Sequence, residues 1–236
     1  MSVGRIARFL GSGALIASGM VAAATAPAAT AEPCPDVEVV FARGTAEAPG
    51  VGGTGQAFVD ALRAQTPGKS VSVYPVNYPA SDNFGDRIAF AQNVVEGVRD
   101  AGNHIQATAA ACPDTRVVLG GFSQGAVVAG YVTAAAIPDG IPAEYVSSIP
   151  NPLPDDVSDH VAAVVLMGNP SEAFLRQFGA PLSSIGPRYA PKTVELCAPG
   201  DTICDGTPGA MPSLAHAMYP MNGMTNEAAA YAAAKV

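Results

Sequence analysis

The chain has 236 residues, 49% hydrophobic and 14% charged, which suits a compact domain with a full core and excludes a disordered polymer. Twenty Asp and Glu against twelve Lys and Arg give a formal net charge of −8, so the surface repels phosphate backbones and nucleic acid is excluded as a partner.

Residues 1–31 read as a secretory leader. Arg5 and Arg8 form a basic start, an apolar run extends from about Phe9 to Ala24, and Ala29-Thr30-Ala31 is an A-x-A-like cleavage site. The run is short for a spanning helix and lacks a stop-transfer flank, which argues against a membrane anchor. The expected product is one domain, 32–236, exported to the medium or the cell wall. It keeps ten basic and all twenty acidic residues, so its surface is more acidic still.

All four cysteines, Cys34, Cys112, Cys197 and Cys204, lie in that domain. An even count in an exported chain points to two disulfides, and sequence alone permits three pairings. The simplest joins Cys197 to its neighbour Cys204, leaving Cys34 with Cys112. Zinc-type C-x2-C spacing is absent and neither cysteine pair has a histidine at finger-like distance, so no metal is expected.

Along the domain, β-branched apolar runs at 36–42, 71–76, 115–121, 160–168 and 192–198 predict strands. Several are apolar without alternation, as in parallel strands covered on both faces. Helices are predicted at about 54–65, 86–111, 124–136, 171–178 and 224–235. Strand–helix alternation over five strands predicts an α/β fold: a parallel sheet with helices on both faces and right-handed crossovers. Pro75 places the second strand at an edge or ends it early. Ligands of such sheets bind beyond the carboxyl ends of the strands, which here selects the loops 43–53, 77–85, 122–124, 169–191 and 199–223. The proline-rich segment 137–156 follows a helix and is therefore expected to lie away from the chemistry.

Gly121-Phe122-Ser123-Gln124-Gly125 is a G-x-S-x-G between an apolar strand and a helix. That context fits a nucleophile elbow, a turn so tight that glycines must flank the serine. Ser123 needs a base to take its proton. Of the three histidines, His104 lies late in a helix running down to the nucleophile strand, and His160 begins a strand, so both belong at the wrong edge. His216 follows the last strand, at the correct edge. Asp201 also follows that strand and completes the chain order Ser–Asp–His of α/β-hydrolases, with Asp205 as the rival acid. A Cys197–Cys204 bridge would close a small ring around Asp201. The oxyanion would rest on the Gln124 N–H and on Gly44-Thr45, offering a backbone N–H and a hydroxyl. Arg43 and Glu47 are expected to pair and brace that loop.

"FARGTAEAPG" after the first strand, "GGFSQGA" at the elbow, "CAPGDTIC" at the acid and a histidine 15 residues after Asp201 together resemble the cutinase family of serine esterases. The likeness spans about 32–236 and is nearest to the secreted cutinase-like proteins of mycobacteria and related actinomycetes. It implies an α/β-hydrolase fold without a large lid and Ser123, Asp201 and His216 as the triad. It further implies Thr45 and Gln124 as the oxyanion hole, and disulfides Cys34–Cys112 and Cys197–Cys204. Thr45 departs from the serine typical of fungal relatives, and Phe122 from a common tyrosine that normally faces the core.

The parts predict hydrolysis of esters of short to medium acyl chains, with no cofactor. Phe84, Phe174, Phe178, Leu182, Ile185, Met211, Leu214 and Met218 are candidate walls. An ester substrate, lipid-like or polymeric, is the expected partner of a monomer, with peripheral contact to envelope lipids. Polysaccharide deacetylation, as in acetylxylan esterases of the same fold, is the nearest competing reading; the absence of Trp disfavours sugar stacking. Acyl transfer to a cell-envelope lipid or sugar uses the same triad with another acceptor. A non-catalytic surface protein on this scaffold is the remaining alternative.

Overall fold

Strands Val37–Ala42 (β1), Val71–Pro75 (β2), Arg116–Phe122 (β3), Val161–Met167 (β4) and Thr193–Leu196 (β5) pair in parallel, in the order β2-β1-β3-β4-β5. This computed structural model describes Met1, residues 33–182 and residues 184–236, so the leader expected over 1–31 lies outside the described residues but for Met1. Pro75, which cannot donate to a ladder, closes the edge strand β2.

Side chains alternate across the sheet and feed two cores. On β1, Val37, Val39 and Phe41 join one core and Val40 and Ala42 the other. The first core is covered by helices Gly52–Gln65 (α1) and Met224–Ala233 (α8), through Phe58, Val59, Leu62, Ala228, Ala229 and Ala232. The small residues of α8 let it pack closely there. The second core is covered by helices Arg87–Ala111 (α2) and Gln124–Val132 (α3), through Val94, Ala101, Ile105, Ala126, Val128 and Ala129. Apolar residues thus face both ways on β1, β3 and β4, which is why those runs lack a strict apolar–polar alternation.

Short elements complete the chain: Ala143–Val146 (α4), Val157–His160 (α5), Glu172–Gln177 (α6), Leu214–Ala217 (α7) and a 3₁₀ turn at Ala190–Lys192. Two boundaries differ notably from expectation. The helix expected over 124–136 stops at Val132, because the chain turns to form an isolated bridge between Ala134 and Ile185. Pro138 also disfavours helical backbone at Ile137. His160 ends α5 rather than beginning β4, though it remains at the amino edge of the sheet. The proline-rich segment runs along α2, where Arg99 donates to the Ser148 carbonyl at 2.5 Å and Leu153 packs on the core. Its start, Asp139 and Gly140, shares an open cavity with Arg176 and Gly179–Leu182, so that end does approach a loop on the active side.

The chain leaves β1 toward β2 on one side and reaches β3 on the other. The carboxyl ends of β1 and β3 therefore form a topological switch point, where open α/β sheets hold their ligands.

Candidate active site

Ser123 stands between β3 and α3 with φ 54° and ψ −120°, a backbone state unusual for a residue with a side chain. Such strain costs roughly 1–3 kcal/mol and persists only where the surroundings over-determine it. Here they do. A Cβ on Gly121 would lie 2.0 Å from the Gly125 carbonyl oxygen, and one on Gly125 would lie 1.9 Å from that of Ala42. The Ser123 N–H also donates to the Met167 carbonyl at 2.9 Å, tying the turn to the end of β4.

His216 reaches Ser123 from α7. Its Nε2 is 2.9 Å from Ser123 Oγ, and its Nδ1 lies 2.9 and 2.8 Å from the two carboxylate oxygens of Asp201. Expected in a loop, His216 sits instead in one helical turn started by Ser213, whose Oγ accepts the His216 N–H at 3.4 Å. The same Oγ donates to the Gly200 carbonyl at 2.8 Å, joining the histidine turn to the residue before Asp201.

Asp201 is fully buried. Burial alone would raise its pKa. The hydrogen bond and attraction of His216, the Ile203 N–H at 3.1 Å and the Tyr219 O–H at 2.9 Å outweigh it and hold the carboxyl below its ordinary value. Asp205, the rival acid, accepts the Thr207 N–H instead. Of the other histidines, His104 lies 3.1 Å from Glu38 on the amino half of β1 and stacks on Tyr74, and His160 stands just before β4.

The loop after β1 is braced differently from expectation. Arg43 does not pair with the Glu47 carboxylate. Its Nε donates to the Glu47 carbonyl at 2.9 Å, and its Nη2 to the Tyr78 and Pro79 carbonyls at 2.6 and 3.1 Å. The Glu47 carboxylate instead accepts the N–H groups of Gly44 at 2.6 Å and Gly53 at 2.7 Å, the second at the start of α1. Gly44 therefore has no N–H to spare for a ligand. A turn from Gly44 to Glu47 follows, with Ala46 at φ 58° pinned by donation to the Ala80 carbonyl at 2.7 Å. Thr45 occupies that turn, half-buried, and among the described residues its N–H and hydroxyl have no hydrogen-bond partner. Gln124 opens α3, so its N–H lacks an intrahelical acceptor.

Both disulfides are formed, Cys34–Cys112 and Cys197–Cys204, and no cysteine among the described residues is free. Cys197, Asp201 and Cys204 lie close enough to suggest a metal cluster, but bridged sulfurs offer no thiolate.

The candidate walls divide. Phe84, Phe178 and Phe174 form a continuous aromatic contact, with centroids 5.5 and 5.1 Å apart, and Phe90 extends it at 4.9 Å from Phe84. Met211, just before the histidine turn, and Leu214, its first residue, are 75% and 78% exposed. Ile185 bridges to Ala134 beyond the far end of α3 and packs on the core, so it is no wall of this site. Phe122 faces the core as expected, and its ring also stacks on His216 at 5.0 Å.

Sequence reasoning missed Tyr219, Ser213 and Tyr78. Tyr219 stands three residues after His216, one turn on, and Ser213 stands three before it; both spacings are visible cues once that segment is read as helical.

Residues 33–236 match the family described as Cutinase. The chain belongs to that family. It is 51% identical over 174 residues to a probable carboxylesterase, Culp7, of Mycobacterium tuberculosis, covering 73% of this chain and 89% of the relative. It is 47% identical over 214 residues to the phospholipase Culp4 of the same organism, covering 90% and 84%. Among solved structures, a Trichoderma reesei cutinase in complex with a phosphonate inhibitor aligns with TM-score 0.59 and 29% identity, over 85% of this chain and 76% of that one. The catalytic core of an acetyl xylan esterase from Trichoderma reesei aligns with TM-score 0.66 and 25% identity, over 86% and 100%. The five-stranded parallel sheet is thus an α/β-hydrolase fold of the cutinase type.

Proposed function

We propose that the chain is an exported serine esterase that hydrolyses carboxylic esters of short to medium acyl length. Carboxylic ester hydrolysis as a class is supported by family membership. The observation that carries the mechanism is the unbroken run Asp201–His216–Ser123, at 2.8 and 2.9 Å, beside free donors at the switch point of the sheet. Ser123 Oγ attacks the ester carbonyl while His216 Nε2 takes its proton, and Asp201 holds the Nδ1–H and stabilises the imidazolium. The carbonyl oxygen, now negative, rests on the Gln124 N–H and on the Thr45 N–H and hydroxyl. His216 returns the proton to the leaving alcohol, then activates a water that releases the acid.

The acyl chain lies against the Phe84–Phe178–Phe174 face. Met211 and Leu214, exposed at the histidine turn, offer apolar surface to lipid, which supports a lipid-like or polyester substrate and peripheral contact with envelope lipids. Export is supported by the leader pattern and by two disulfides.

Hydrolysis of p-nitrophenyl esters from two to sixteen carbons, wild type beside Ser123→Ala, tests this reading. Activity peaking at short or medium chains and lost in the variant is expected. Activity confined to acetate would replace it with polysaccharide deacetylation. No hydrolysis by folded, oxidised protein would replace it with acyl transfer or binding.

A further inference from the structure

Tyr219 is fully buried in the turn after α7, and its hydroxyl sits where three segments meet. It lies 2.9 Å from Asp201 Oδ2, 3.2 Å from the Leu196 carbonyl at the end of β5, and accepts the Ala198 N–H at 2.9 Å. Cys204 Sγ of the bridge is 3.6 Å away. A phenol has one proton and cannot serve two acceptors fully. The shorter contact to a charged acceptor takes it, and the N–H arriving from Ala198 polarises the hydroxyl and strengthens that donation. Burial pushes the phenol far up, so it stays a neutral donor throughout the working pH range.

We infer that Tyr219 is a positioning residue of the esterase site, holding Asp201 toward His216 and moderating how firmly the Asp201–His216 pair keeps its proton. The role assigned to Tyr219 rests on the reading of Ser123, His216 and Asp201 as the triad. Geometry gives the first half. Asp201 faces His216 Nδ1 on one side, while the Ile203 N–H and the Tyr219 O–H hold its oxygens from behind. The ring that carries the hydroxyl is itself fixed, 5.2 Å from Phe122, whose ring also stacks on the imidazole. Charge gives the second half. A proton donated to the carboxylate draws electron density from it and weakens its support of the imidazolium.

The groups around the pair leave Tyr219 as the adjustable one. Ser123 comes from the elbow, Gly168 from the end of β4, Phe122 from β3, and the bridged Cys197 and Cys204 from the acid loop. None of these carries a charge at working pH. The neighbouring acid, Asp205, directs its carboxylate to the Thr207 N–H.

The test is the pH profile of kcat/KM for Tyr219→Phe, with wild type and Ser123→Ala alongside. The pair without Tyr219 keeps its proton to higher pH, so the acidic limb moves up by about half a unit to one unit, the share of a charge-assisted hydrogen bond that the pair transmits. The kcat falls about tenfold through the loosened acid, with KM little changed, because no substrate contact is lost. A limb that stays in place, whatever happens to kcat, would reduce Tyr219 to packing and overturn the inference.

Should the Phe variant fail to fold, 3-fluorotyrosine at position 219 keeps ring and hydroxyl and strengthens the donated bond. The limb then moves down, and an unmoved limb is again decisive against the role. Activity retained by Ser123→Ala would overturn the reading of the triad itself, a failure separate from that of Tyr219.

Discussion

Arg43 and Tyr78 hold each other through their main chains: the Arg43 guanidinium donates to the Tyr78 carbonyl, and the Tyr78 hydroxyl donates to the Arg43 carbonyl. The guanidinium also lies over the Tyr78 ring, 5.2 Å from its centroid. The pair clamps the loop after β1, which carries Thr45, to the loop after β2. Arg43 is 5% exposed and among the described residues forms no ion pair with a carboxylate, so backbone carbonyls and the Tyr78 ring face offset its charge. Lysine cannot reproduce that planar fork. Arg43→Lys is expected to lower kcat by roughly 10- to 100-fold through a displaced Thr45, with KM less affected. Steady-state kinetics on a soluble ester check this; equal losses in both parameters would speak against a positioning role.

Glu47 carries the same loop from the other side. Its carboxylate gathers the N–H groups of Gly44 and Gly53, so Glu47→Gln leaves one of them with an amide N–H facing it. The expected loss is about 1–3 kcal/mol of stability together with lower activity. Urea titration and ester hydrolysis on the same preparation would detect both.

The two disulfides are expected to separate stability from activity. The Cys34–Cys112 bridge closes a long loop, with a sequence separation of 78, against 7 for Cys197–Cys204. Chain entropy assigns about 4–5 kcal/mol to the first and about 2–3 kcal/mol to the second. Only the second surrounds Asp201. Cys34→Ser/Cys112→Ser should therefore lose more thermal stability, and Cys197→Ser/Cys204→Ser more activity, at a temperature where both remain folded by circular dichroism. The reverse order would mean that the small ring does not hold the acid.

Glycine at 121 and 125 is a requirement of space. Methyl groups there would meet carbonyl oxygens at 2.0 and 1.9 Å. Gly121→Ala and Gly125→Ala should each destabilise the fold by more than about 3 kcal/mol, and soluble, folded protein with wild-type melting would contradict this.

The acid limb of stability has a defined source in Glu38. Burial would raise its pKa, but hydrogen bonds from His104 and Thr108 hold the carboxyl below its ordinary 4.5. A lowered folded value stabilises above the unfolded pKa, and that contribution disappears as pH falls through the folded value. Glu38→Gln should thus be less stable than wild type at pH 7, and the gap should close below about pH 4. Denaturant unfolding at pH 7, 5, 4 and 3 follows the difference.

Much of this protein follows from its sequence alone. Unbroken apolar runs such as "HVAAVVLMG" signal strands covered on both faces, because parallel strands bury both sides of the pleat. Strand order along the chain fixes which loops share an edge, and so separates His216 from His104 and His160 before any distance is measured. The glycines around Ser123 announce a turn that admits no Cβ.

Tertiary structure decided the contacts that depend on side chains meeting across the fold. Arg43 and Glu47, four residues apart, are natural partners by charge, yet one is drawn to carbonyls of the loop after β2 and the other to the N–H groups of Gly44 after β1 and Gly53 at the start of α1. Ile185 reads as a wall by its place after β4, but its loop descends to bridge Ala134. Tyr219 carries no motif, and its link to Asp201 exists only because a short helical turn brings its hydroxyl to the end of β5. Periodicity and chain order are written locally, one residue after another. The partner of a buried hydrogen-bonding group is set by which segments pack around it.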